Sequence, residues 1–260
     1  MPTNPAPESA DNVLVIGRVR VFALAVVLVV AAALRIEDLR QPLVDAFSWR
    51  EASTAMMADN FWLRSWNVFY PEVSWTGPGP SYQGRELQII SYIAAVLYQM
   101  FGWHDWFGRA VAVAFGLWSV FAIFQVTCRV ADRGTALAAA LVLALLPGAV
   151  AIQRSFLPDP AMLAFALTGL WAYLAWLEKP RILLLAAAAA MTALAILAKP
   201  PGFTVLAPMA YAGWVHLRQP AARALRRRPS SGGSPPRCAC CCRPRFGIAH
   251  CCCGAASSLA

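Results

Sequence analysis

The chain has 260 residues, of which 59% are hydrophobic and only 13% charged. Soluble domains carry roughly 25% charged residues, so this composition excludes a disordered protein and argues against a soluble globular one. A bilayer is the natural solvent for such a chain, and the net charge of +9 has to be read by position.

Residues 1–12 are polar and read as disordered. An apolar run follows to Leu34, with Arg18 and Arg20 inside it. With its flanks it reaches roughly 20 residues, enough to span. No small-residue cleavage site precedes Arg35-Ile36-Glu37-Asp38, so an uncleaved anchor is expected rather than a signal peptide. The following stretch is rich in acids, Trp, Tyr and Pro. Within it Glu51–Trp66 has helical spacing, with Ala52, Ala55, Met56, Phe61 and Leu63 as an apolar face. Asn67–Arg85 is punctuated by Gly and Pro and reads as loop. Apolar segments then recur at 87–101, 108–126, 134–152, 161–177, 181–198 and 203–217, with short polar joints and no strand alternation. The expected fold class is therefore all-α, a polytopic integral membrane protein.

The 87–101 segment is too short to span comfortably. Its polar positions Gln88, Ser91, Tyr92 and Gln99 fall on one helical face, as in a helix lying in the interface. Leaving it out of the membrane places Arg18, Arg20, Arg129, Arg133, Lys179, Arg181, Arg218 and Arg223 in cytoplasmic joints and only Arg154 and Lys199 in short outer ones. That matches the positive-inside bias; the opposite choice does not. The expectation is about six transmembrane helices within 13–225, a cytoplasmic N-terminus in the plasma (inner) membrane, and a long first outer loop, 35–107. The 153–159 and 199–202 joints then share the outer face with that loop.

Residues 226–260 hold seven of the eight cysteines, six arginines and no Asp, Glu or Lys. Without those arginines 16 basic residues stand against 13 acidic ones. The runs CACCC and HCCC lack the pair spacing that wraps zinc. A basic tail touching anionic lipid or nucleic acid is a second reading. The favoured one is out-of-frame translation of a GC-rich gene, which makes the membrane domain a truncated one and removes any support for nucleic-acid binding. Cys128 stands apart in an apolar context.

The candidate chemistry is a few charges at helix ends, where carboxylates and a lysine at one depth suggest a site. Asp45, in Pro-Leu-Val-Asp-Ala-Phe-Ser-Trp-Arg-Glu, is either a loop acid that caps the next helix or a general base at a water-poor boundary. Glu51 competes for that role, or serves the helix dipole from the first turn. Glu86 starts the interfacial helix. Asp159, in Leu-Pro-Asp-Pro, is an N-cap or a site acid. Lys199 is a snorkelling lysine, or, with the free helix N-terminus that Pro200-Pro201-Gly202 opens, a phosphate site. Arg154 lies on the same face. Walker A, GxGxxG, HExxH and metal-spaced histidines are absent from the sequence.

Four pieces in order resemble a known family. They are Asp45-Ala-Phe-Ser-Trp49-Arg50-Glu51 with Asn60-Phe61, Gly84-Arg85-Glu86-Leu87 with Arg109, Gln153-Arg154-Ser-Phe-Leu-Pro158-Asp159-Pro160, and Ala198-Lys199-Pro200-Pro201-Gly202. The pattern is similar to polytopic glycosyltransferases that use lipid-phosphate sugars, the protein O-mannosyltransferase and aminoarabinose transferase group. The resemblance covers roughly 20–217; family members are about twice as long. It implies a polyprenyl-phosphate sugar donor and an acceptor lipid, glycan or protein. Asp45, or failing it Glu51, would deprotonate the acceptor. Lys199 and Arg154 would stabilise the leaving phosphate, with Asp159, Glu86 and Arg50 positioning the substrates. The resemblance leaves a divalent metal open. A transporter or lipid-handling protein is the alternative from another class; it would place polar groups mid-span, where this chain has Ala, Leu and Val.

Overall fold

A computed structural model describes residues 10–218 apart from 38, 43–46, 76, 78, 80 and 85, with the backbone path alone for 10–20. Asp45, residues 1–9 and the Cys/Arg tail lie outside the described residues.

The fold is all-α and membrane-like. Helix α1 runs Ala10–Ile36, α4 Trp106–Val130 and α7 Asp159–Glu178. Among the described residues α4 and α7 are long and apolar enough to cross a bilayer; Val21–Ile36 and Ile182–Ala198 (α8) are shorter apolar helices. Helix α7 is central. Phe115 of α4 meets Phe165 of α7 edge-on at 5.4 Å. From the other side α8 buries Ala188, Thr192, Ala195 and Ala198, one turn apart, against it. Small residues let helix backbones approach, and dispersion does the rest where lipid offers no hydrophobic drive.

Two expected spans differ from the sequence reading. The 134–152 run is not one helix: α5 (Arg133–Leu145) and α6 (Pro147–Arg154) are bent by 63°. Pro147 has no N–H, and its ring holds Leu146 extended, ψ 116°, so the helix stops there. The 203–217 run begins as a 3₁₀ turn, Pro200–Val205, and is α-helical only from Leu206 to Arg218 (α9). Asp132 caps α5 by accepting from Gly134 N and Thr135 N, and these bonds with the Thr135 hydroxyl hold its pKa below the usual value.

Helices α2 (Ser48–Leu63) and α3 (Ile89–Phe101) form a layer at one end of the bundle. Helix α3 has 13 residues, about 20 Å at 1.5 Å per residue, which is short of a hydrocarbon core of about 30 Å. Its polar stripe does not face water as an interfacial helix would suggest. Ser91 is wholly buried and Gln88 6% exposed. The Ser91 hydroxyl donates to Thr54 O at 2.9 Å, and Tyr92 packs edge-on against Phe61 and Trp66. The side left open is apolar: Val96, Met100 and Phe101. Only Gln99 of the stripe is exposed. The loop expected at 67–85 contains a minimal hairpin, Glu72–Val73 (β1) antiparallel to Ser81–Tyr82 (β2). Asn60 ties it to α2 by donating to Glu72 O at 2.9 Å.

Candidate functional site

The polar residues converge at one end of the bundle, where α1 and α8 end and α4 and α7 begin. Glu51 is at the centre. It sits in the first turn of α2 with no exposed surface. Its Oε1 accepts from the backbone N–H of Phe156 at 2.6 Å and its Oε2 from Arg109 at 3.1 Å. Arg109, 3% exposed, also donates to Gln41 O at 2.6 Å and Pro42 O at 3.4 Å. One ion pair thus joins α2, α4, the α6–α7 joint and the strand of chain that leads to Asp45. A buried carboxylate is tolerated because each oxygen has a strong donor.

Two glycines make room for that joint. A Cβ at Gly108 would collide with the Phe156 ring, and one at Gly116 would stand 2.9 Å from Gln153 Cβ. The 153–156 segment therefore lies flat on α4, which aims the Phe156 N–H at Glu51.

Asp159 and Lys199 meet directly. Both carboxylate oxygens accept from Lys199 Nζ, at 2.6 and 2.7 Å, with about a fifth of each side chain exposed. Asp159 is not the N-cap that its Leu-Pro-Asp-Pro context suggests. It is the first helical residue of α7, Pro158 precedes it, and no side-chain cap bond forms. Its carboxylate is turned to the lysine instead. The free helix N-terminus expected after Lys199 is also absent. Pro200 and Pro201 have no N–H, and Gly202 N donates to Lys199 O at 2.9 Å. The positive group at this position is therefore the Lys199 ammonium alone, and it is paired with Asp159.

Arg50 donates to both oxygens of Glu86 at 3.2 Å. The next residue, Leu87, donates its N–H to Leu197 O at 2.8 Å, which brings the Arg50–Glu86 pair to the end of α8 that carries Lys199. Arg154 ends α6, two residues before Phe156. Among the described residues no three His, Cys, Asp or Glu side chains converge to hold a metal ion, and the Glu86 carboxylate is engaged by Arg50.

Sequence reasoning missed Arg35. It is fully buried. Its Nε and Nη2 donate to Gln153 Oε1 at 2.9 and 2.7 Å, its Nη1 to Ala31 O and Ala144 O at 3.0 Å each, and its Nη2 to Leu143 O at 3.2 Å. It occupies the carbonyls that the break at Pro147 sets free. The available signal was a charge and an amide, Arg35 and Gln153, at the ends of otherwise apolar runs. A second cluster flanks the site. Asp59 accepts from Trp103 Nε1 at 2.9 Å. Burial raises its pKa, the Trp103 bond pulls it back and Asp105 raises it further. Burial likewise pushes up the Tyr98 hydroxyl, with Asp59 and Asp105 adding to it.

An all-α bundle with apolar helices long enough to cross a bilayer, carrying at one end a buried ion pair and two part-exposed ones, is membrane-like in fold. The chain belongs to the dolichyl-phosphate-mannose-protein mannosyltransferase family, whose model matches residues 88–230. That is a glycosyltransferase family of the mannosyltransferase type. Comparison with curated proteins finds no match, and comparison with solved structures finds none.

Proposed function

We propose that the chain moves a sugar from a polyprenyl-phosphate donor to an acceptor hydroxyl at the outer face of the membrane, in one inverting displacement. The observation that carries this reading is the Asp159–Lys199 pair at 2.6 Å, at the same end of the bundle as the Glu51–Arg109 network. Asp45 is the base of choice because Glu51 has both oxygens engaged and no solvent contact. Asp45 takes the acceptor proton, and the freed oxygen attacks the anomeric carbon. The bond from that carbon to the phosphate oxygen breaks, and the lipid monophosphate leaves with the negative charge. Lys199, assisted by Arg154, stabilises that charge where it develops. Glu51 and Arg109 hold the chain that carries the base. Asp159, Glu86 and Arg50 position donor and acceptor.

The transporter reading would use the break between α5 and α6, because freed carbonyls can coordinate an ion. Here the Leu143 and Ala144 carbonyls are taken by Arg35. The test is Asp45→Asn in a chain that shows transfer to an acceptor. Turnover is expected to fall by at least about a hundredfold, the usual reach of a general base, with donor affinity kept. Equal loss of donor binding and turnover would overturn the base role.

A further inference from the structure

An open cleft of about 530 Å³ lies beside the candidate site, lined by Ile36, Leu39, Arg40, Gln41 and Trp106. We infer that it seats the headgroup of an anionic phospholipid of the surrounding leaflet, with Arg40 holding the phosphate.

Three features point there. The first is charge. Arg40 is exposed, and no hydrogen bond or ion pair to it occurs among the described residues. None of the five lining residues carries a carboxylate; Glu37 and Asp105, close by in sequence, are not part of the lining. The guanidinium fork suits a phosphate, and Gln41 is the other polar residue of the lining. The second is depth. Ile36 closes the apolar α1, and Trp106 opens the spanning α4. The Arg109–Gln41 bond puts those two ends at the same level. A phospholipid headgroup is the abundant anionic group at that level, and its phosphate is a bidentate partner for a guanidinium. The third is amphipathy. Ile36, Leu39 and the Trp106 ring provide apolar wall for the glycerol and upper acyl chain, with the indole of a kind enriched at headgroup depth. The cleft is distinct from the proposed donor phosphate position, since no lining residue belongs to α7, α8 or the 3₁₀ turn that carry Asp159 and Lys199.

Occupancy has a consequence for the neighbouring network. Gln41 lines the cleft and accepts through its carbonyl from Arg109, whose next partner is Glu51. A lipid held at Arg40 and Gln41 steadies the segment just before Asp45. The assignment holds whatever group the chain transfers, because its readout is lipid binding.

The experiment uses the full chain purified in a neutral detergent, with phosphatidylglycerol titrated in and retained lipid counted by native mass spectrometry. Arg40→Gln is expected to weaken retention at least tenfold, and Arg40→Lys by less. Arg181→Gln, an exposed arginine at the far end of α8, is expected to leave it unchanged. The melting temperature of each variant, expected to be that of the parent, controls for folding. Equal retention by the parent and Arg40→Gln overturns the assignment. So does displacement of phosphatidylglycerol by an equimolar isoprenyl monophosphate in the parent but not in Arg40→Gln, which would make the cleft a donor site.

Discussion

Glu51 and Arg109 bury opposite charges in contact, and both also serve backbone groups. Removing one partner of such a pair strands the other, typically at about 3–5 kcal/mol. Glu51→Ala or Arg109→Leu is therefore expected to lower the melting temperature of the detergent-solubilised protein clearly. Glu51→Gln, which keeps an acceptor for Phe156 N–H, is expected to cost less, and Glu51 turnover variants should lose activity in step with folded fraction if its role is to position. Lys199 offers a contrasting case. It is part-exposed and paired with Asp159, so Lys199→Gln should weaken donor affinity more than stability, as read by lipid-phosphate binding against thermal melting. Asp59 gives a pH prediction. Its folded pKa is raised, so the folded state holds the proton more tightly than the unfolded one. Stability then rises as pH falls from neutral toward the unfolded carboxylate value of about 3.9. Asp59→Asn keeps an acceptor for Trp103, removes the charge, and should melt higher at pH 7 with that pH dependence gone. At this scale residue types were legible and pairings were not. Asp159 and Lys199 stand out singly as charges between apolar runs, yet they lie 40 positions apart, and periodicity carries no information across such a gap.

At the scale of elements the apolar runs marked the helices, but the 134–152 run was read straight through Pro147, where α5 stops. The side each helix turns to its neighbour was harder to read. The polar stripe on α3 has the pattern of a wetted face, but it is spent on α2, because a Ser hydroxyl buried against a helix is stable where it finds a carbonyl such as Thr54 O. The α5–α6 bend is likewise completed from outside, by Arg35 of α1. Arg35→Met leaves the Gln153 amide and the Leu143 and Ala144 carbonyls unpaired, at about 1–3 kcal/mol for each buried group. Gln153→Leu alone should cost less, since Arg35 keeps its carbonyls. In a double-mutant cycle the two are expected to be non-additive, with the pair Arg35→Met/Gln153→Leu milder than the sum; additive melting shifts would show that the contact contributes little.

For the whole molecule, the gathering of Glu51, Glu86, Arg109, Asp159 and Lys199 at one end fits the proposed orientation, with that end outside. The orientation is testable without any assay of transfer. With native cysteines replaced, a cysteine at Ser65 should react with a membrane-impermeant maleimide on intact cells. One at Arg133, at the opposite end, should react only after permeabilisation. Both positions are exposed. The reverse pattern would invert the topology and remove the outer-face reading with it. Composition told the solvent, and the recurring apolar runs without strand alternation told the helical class; the placement of the ends rested on arginine and lysine counts, which are blind to residues like Arg35 that are sealed inside.

Arg35 also bears on how the chain is made. Helix α1 is made before α5 and α6, carrying a guanidinium whose partners Ala144 and Gln153 come 109 and 118 residues later. A guanidinium sealed away from water without its partners is costly. Until α5 and α6 supply that amide and those carbonyls, Arg35 is expected to stay solvated at the membrane surface, so α1 should seat fully only once they arrive. A helix made early is thus expected to be fixed late, and nascent chains halted before α6 should be the ones that quality control removes.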